Sequence, residues 1–103
     1  MACRTEWTQT AHADVADIVG YMAEALRNPG AATSFLDQLE DRVAGIEANP
    51  LSCEFSRDPI LRQRGYRRAT LGSHLLLYTF DEQREAILTA RVFYGGRDYA
   101  RLV

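Results

Sequence analysis

With 103 residues, 47% hydrophobic and 25% charged, the chain forms one globular domain, which excludes both a second core and a disordered segment. Its net charge of −2 hides a division: residues 1–56 carry three arginines against nine acids, and residues 57–103 carry nine arginines against five, with no lysine anywhere. A uniformly basic nucleic-acid binder is excluded, whereas a local arginine face on the second half is not.

The first element is a short strand over residues 3–8, where Cys3, Thr5 and Trp7 alternate with Arg4, Glu6 and Thr8. Arg4, Glu6 and the threonines stand where a signal peptide carries its apolar stretch, so secretion is not expected. Cys3 and Cys53 are 50 positions apart, with no CxxC and no clustered histidine. A disulfide scaffold and a structural zinc site are poor readings, and the expected compartment is the cytoplasm. Thr8 or Thr10 caps a helix over residues 10–27, with Val15, Ile18, Val19, Met22 and Leu26 as its apolar stripe and Gly20 as a tolerated weakness. Asn28-Pro29 starts a second helix through Phe35, Leu36, Leu39, Val43 and Ile46, and Asn49-Pro50 stops it. The two make an antiparallel helical hairpin sharing one apolar side.

The second half changes period. Residues 51–65 read as a loop with one helical turn at most. Three β-rich runs follow, over residues 66–71, 75–80 and 86–94, with connections of hairpin length. Residues 75–80 are apolar on both faces apart from Thr79, which predicts a central, covered strand. The longest apolar run, Leu75 to Tyr78, is far below the roughly 20 residues of a membrane span. The fold class is therefore α+β: an N-terminal strand, a helical hairpin lying on one face of a three-stranded antiparallel sheet, and a short tail from Asp98. The other face of the sheet is expected to stay available.

Arg57, Arg62, Arg64, Arg67 and Arg68 fall within twelve residues, opposed only by Asp58, and form the first candidate binding face. Arg91, mid-strand between Ala90 and Val92, either pairs with a carboxylate such as Asp98 or faces the open surface, and pairing is the safer expectation. Tyr66, Tyr94 and Tyr99 have rings suited to stacking, while Tyr78 and Trp7 read as core. His74, in a turn, and His12, in the first helical turn, read as surface residues.

The helical hairpin with Asn28-Pro29-Gly30 and Phe35-Leu36-Asp37-Gln38-Leu39, then Asn49-Pro50, Gly65-Tyr66-Arg67-Arg68, Leu75-Leu76-Leu77-Tyr78 and residues 91–99 form an ordered set spanning nearly the whole chain. This set resembles the RelE/ParE superfamily of toxins, which act in type II toxin–antitoxin (plasmid stabilisation) pairs. The resemblance implies a β-α-α-β-β-β domain, growth inhibition, and neutralisation by a small antitoxin with an acidic segment in a hetero-oligomer. It implies no cofactor, no metal and no membrane association. It also implies one of two targets. RelE-like members are mRNA endonucleases on the ribosome, driving the ribose 2′-hydroxyl onto its own phosphate; ParE-like members bind and poison DNA gyrase. In the nuclease case the resemblance assigns Arg67, Tyr94 and Arg97 as catalytic residues, with Glu54 as a candidate base. Ala69 is neutral, and Leu75 or its neighbour stands where nucleolytic relatives carry a phosphate-binding arginine. That incomplete set favours the ParE-like action; an mRNA interferase and an inactive relic that only binds antitoxin as a corepressor are the alternatives.

Overall fold

In the computed structural model, which describes residues 3–95, strand β1 (Arg4–Trp7) ends at Thr8. The Thr8 side-chain oxygen accepts the Ala11 N–H at 3.0 Å and starts helix α1 (Gln9–Gly20). The same hydroxyl donates to the Ala90 carbonyl at 2.8 Å, so the cap also ties the helix to the last strand.

After Gly20 the helix widens into a π-helical turn, Tyr21–Ala25, in which the Leu26 N–H reaches back to the Tyr21 carbonyl at 3.0 Å. Val15, Ile18, Val19 and Met22 pack on the core, but the wider turn rotates Leu26 away and leaves it 54% exposed. The expected helix over residues 10–27 is thus corrected at its last turn. Gly20 is the weak point, since a residue without a side chain holds the α-helical bonding least firmly. Arg27, at φ 50°, then turns the chain. Asn28 accepts the Ala31 N–H through Oδ1 at 3.1 Å, and Pro29 opens helix α2 (Pro29–Ala48), which buries Ala32, Phe35, Leu39 and Ile46.

Strands β2 (Arg67–Leu71), β3 (His74–Asp81) and β4 (Ala86–Tyr94) pair antiparallel, as expected. The full sheet has four strands in the order β1-β4-β3-β2, because β1 adds parallel to β4, from Arg4 opposite Ala86 to Trp7 opposite Thr89. Local periodicity marks β1 as a strand but names no partner for it, since parallel neighbours are joined by a crossover and not by a turn. Gly72, at φ 59°, and Ser73 form the whole β2–β3 turn, which places His74 in the strand opposite Tyr94.

Leu76 and Tyr78 face the helices, among Phe35, Leu39, Ile46, Ala69, Leu71, Ile87 and Val92. Leu75 and Leu77 face the other way with Phe93, and here the structure corrects the expectation of an open face. A short helix α3 (Pro59–Gln63) lays the buried Leu61 on them, with Tyr66 alongside. An apolar face of that size is not left to water when a single leucine next to a capped turn can cover it.

Between Leu77 opposite Arg91 and Tyr78 opposite Thr89 the register slips, leaving Ala90 as the extra residue of a bulge. Beyond this point β1 has ended, and α1 supplies the partners of the β4 edge. The Asp14 carboxylate accepts the Val92 N–H at 2.9 Å and the Arg91 guanidinium through Nε (2.8 Å) and Nη2 (3.0 Å). Among the described residues Asp14 is a carboxylate that Arg91 meets; Asp98 lies outside them. Both side chains are well shielded, at 16% and 13% exposure. Removing one partner leaves the other charge buried, so Asp14→Ala should lower stability by roughly 3–5 kcal/mol. Glu6→Ala, which breaks the exposed pairs to Arg4 and Arg84, should change it by about 1 kcal/mol or less. Urea unfolding of the two variants against the parent checks the contrast; equal losses would refute it.

Candidate functional site

The arginine segment folds back onto β2. The Ser56 N–H donates to the Tyr66 carbonyl at 2.8 Å, the Arg68 N–H to the Glu54 carbonyl at 3.0 Å, and Phe55 bridges to Arg67. Asp58 accepts the Ile60 and Leu61 N–H groups, both at 3.0 Å, and caps α3, so the one acid of the segment serves the backbone. Leu61 then anchors α3 against the sheet, and Gly65, at φ 85°, returns the chain to β2. Folded this way, Arg57, Arg62 and Arg67 line a recess of about 430 Å³ together with Glu54 and Phe55.

The five arginines do not play one part. Arg57, Arg62 and Arg64 are exposed. Arg67 donates through Nη1 to the Cys53 carbonyl at 2.7 Å, and its guanidinium lies 3.9 Å from the Phe55 ring centre, a cation–π contact. Arg68 brings Nη2 to 3.6 Å from Glu54, and its Nε is buried without an acceptor among the described residues. Behind the recess the Tyr78 hydroxyl donates to the Pro50 carbonyl at 2.9 Å, and burial pushes the phenol pKa upward, so Tyr78 stays a neutral donor in the core.

A second hollow, of about 460 Å³, opens at the other end of the domain between α1, the π-helical turn and the end of β4. Asp14, Asp17, Tyr21, Met22, His74 and Tyr94 contribute to its walls. Its lining is apolar with two acids, of which Asp14 is paired with Arg91. Tyr94 is 54% exposed there. His74 is half-buried, with its ring 5.2 Å from Phe35 in an edge contact and 6.0 Å from Tyr94, which corrects its reading as a surface residue. His12 is exposed.

The structure keeps Arg67 and Tyr94 apart. Arg67 sits opposite Tyr78 and Tyr94 opposite His74, so they are four residues apart along β3, roughly 13 Å, and on strands at either side of it. Leu75 is a buried packing residue on the α3 face. Glu54 is largely exposed beside Arg68. Arg97 and Tyr99 lie outside the described residues. Sequence reasoning passed over Asp14, since its position opposite the apolar stripe looks like solvent exposure. It also passed over Phe55, although a lone aromatic just ahead of the arginine cluster was the available signal. Both cysteines are free, and among the described residues no group of three His, Cys, Asp or Glu side chains is placed to hold a metal ion. No helix among them is long and apolar enough to cross a membrane.

A family profile described as the ParE toxin of the type II toxin–antitoxin system parDE matches residues 5–99. The chain belongs to the ParE toxin family. Solved structures agree in fold. A chain of the chromosomal ParDE system from P. aeruginosa superposes with a TM-score of 0.70 at 21% identity, covering 90% of this chain and 96% of that one. A chain of the RelBE2 toxin–antitoxin complex from Mycobacterium tuberculosis gives 0.65 at 19% identity, covering 91% and 99%. A chain of the intact E. coli RelBE complex gives 0.59 at 13% identity, covering 93% and 100%. At these identities the likeness is one of fold, and it spans both ParE and RelE relatives. No curated protein matches in sequence. The α+β architecture of this ParE-family toxin is therefore the one its solved relatives share.

Burial lowers the His74 pKa below its ordinary 6.5, because the half-buried ring is costly to charge. The folded chain then binds this proton less readily than the unfolded chain. Its contribution is fully present above about pH 6.5 and is lost as pH falls through the lowered folded value. Thermal melts between neutral and mildly acidic pH should show His74→Phe losing less stability on acidification than the parent, and superimposable profiles would remove His74 from the account.

Proposed function

We propose that this ParE-family toxin, when free of its antitoxin, arrests growth by binding DNA gyrase and does not cut messenger RNA. The observation that supports this reading is the separation of the groups a nuclease needs together. Attack by the ribose 2′-hydroxyl requires cations on the phosphate, with a base and an acid within hydrogen-bond reach of the reacting oxygens. Arg67 and Tyr94 are four residues apart along the sheet, and the Arg67 guanidinium is already held by the Cys53 carbonyl and the Phe55 ring. Arg91 is held in the ion pair with Asp14. A net charge of −2 is also low for an enzyme that docks on ribosomal RNA.

A binding poison needs a surface and no proton-transfer pair, and this domain offers exposed apolar side chains at both ends. The partnership with an antitoxin is supported by the relatives solved as toxin–antitoxin complexes. The cytoplasm, where both gyrase and ribosomes work, is the compartment this reading requires.

Tyr94→Phe separates the two actions. It removes one hydroxyl and keeps the ring, so a gyrase poison should stay toxic within about twofold, whereas loss of a general acid typically costs ~10²–10⁴-fold. Purified protein should inhibit gyrase supercoiling, and induced cells should form filaments while bulk translation continues. A prompt stop in protein synthesis with messages cut in the ribosomal A site, together with a folded but harmless Tyr94→Phe, would favour the RelE-like endonuclease.

A further inference from the structure

We propose that the apolar hollow between α1, the π-helical turn and the end of β4 is a binding site for a small organic cation, an ammonium group carried on an aromatic or alkyl body. The inference goes beyond the gyrase reading and does not rest on it, since a toxin that cut messages would carry the same hollow. Its volume of about 460 Å³ falls within the roughly 300–1,000 Å³ of small-molecule sites. Ile18, Met22 and Leu26 supply apolar wall, Tyr21 and Tyr94 supply rings, and Asp17 supplies a carboxylate. Tyr21 and Tyr94 are 60% and 54% exposed, so both rings are open to a ligand.

The charge inside the hollow selects the ligand. Asp14 is neutralised by Arg91 and also accepts the Val92 N–H. Asp17, three residues on and so on the same side of α1, is exposed and makes no ion pair among the described residues. His74 adds no opposing charge at neutral pH, because burial lowers its pKa below the ordinary 6.5. Among the described residues, the hollow therefore presents one uncompensated negative charge beside two tyrosine rings. An ammonium gains from both, since a ring face attracts a cation through its quadrupole and a carboxylate attracts it directly. An apolar body then covers the remaining wall.

The walls are in place before any ligand arrives. The Asp14 contacts to Arg91 and Val92 hold α1 to β4, and the pairing of His74 with Tyr94 sets the sheet side. The His74 ring stands between Phe35 and Tyr94, 5.2 and 6.0 Å from their ring centres. A site preformed in this way avoids much of the ordering cost of binding. Other ligands fit less well. A carboxylate or phosphate is repelled by Asp17, and a neutral hydrocarbon would strip water from that carboxylate without giving it a partner. The basic recess repels the same cation through Arg57, Arg62 and Arg67.

The test follows the backbone amides of the full, isotope-labelled chain by NMR as 2-phenylethylammonium is added, with two comparison compounds. 3-Phenylpropionate keeps the ring and reverses the charge; ethylammonium keeps the charge and lacks the ring. The first should shift the amides of residues 17–22 and 92–94 and saturate, and the other two should bind about tenfold more weakly or worse. Asp17→Asn should weaken binding by about threefold or more. Tyr21→Leu, which keeps an apolar side chain and loses the ring, should weaken it by a similar factor. Asp41→Asn removes an exposed acid of α2 outside the hollow and should change nothing. The three altered side chains are exposed, and circular dichroism checks that each variant folds. Equal binding of the three compounds, shifts that map elsewhere, or an affinity unchanged in Asp17→Asn overturns the assignment. So does the absence of a saturable shift with 2-phenylethylammonium. A short lysine-containing peptide that binds the hollow where 2-phenylethylammonium does not also overturns it, in favour of a basic segment of a protein.

Discussion

The edge of β4 beyond the end of β1 is the constraint around which the domain is arranged. β1 has four residues and β4 nine, so the parallel pairing stops at Thr89 and, among the described residues, the outer edge continues without a strand beside it. Backbone groups left there without partners would be costly in a partly buried position. α1 supplies the partners: the Thr8 hydroxyl to the Ala90 carbonyl, and the Asp14 carboxylate to the Val92 N–H. One short segment therefore sets where the helix begins, how it lies on the sheet, and which way its apolar stripe points. The Ala90 bulge belongs to the same arrangement, since it is the Ala90 carbonyl that meets Thr8.

That constraint reaches the chemistry. An arginine mid-strand would be a natural cation for a phosphate, but Arg91 is the counter-charge that makes a buried Asp14 tolerable. The same reasoning applies at the other end of the sheet, where Arg67 holds the loop carbonyl of Cys53 and covers Phe55. Two arginines within the sheet, Arg67 and Arg91, thus do structural work. The exposed ones, Arg57, Arg62 and Arg64, are carried by a loop and a one-turn helix held by Leu61, the Asp58 cap and the backbone bonds of the segment to β2. The domain ends up with a basic recess beside Arg67 and an apolar hollow beside Tyr94, about four residues apart along β3.

Much of this was legible in the residues because the relevant signals are local. The stripe of α2, its Asn28-Pro29 start and its Asn49-Pro50 stop lie within a few turns of one another. The alternation of Arg4 to Trp7, the glycine turn that starts at Gly72, and a β3 apolar on both sides are equally short-range, although the turn ends one residue earlier than its composition suggested. The arginine cluster is legible for the same reason. The ParE-family resemblance adds order and spacing over the whole chain. The division of the arginines into structural and exposed ones was not legible, because it depends on which carbonyl, ring or carboxylate each one meets after folding.

By itself, then, the sequence determined the elements, their order, the α+β class, and the concentration of positive charge in the second half, all of which follow from period, capping and composition. Tertiary structure alone decided four things: that β1 pairs with β4, that Leu61 closes the second face, that the helix shifts to π-helical bonding after Gly20, and that Asp14 meets Arg91. Each joins groups far apart in the chain or responds to a neighbour's shape. The physical reason is common to all four. Helix and strand preferences are set within one or two turns of backbone, whereas the pairing of an edge, the covering of a face and the neutralising of a buried charge are satisfied by whichever group the completed packing brings within reach.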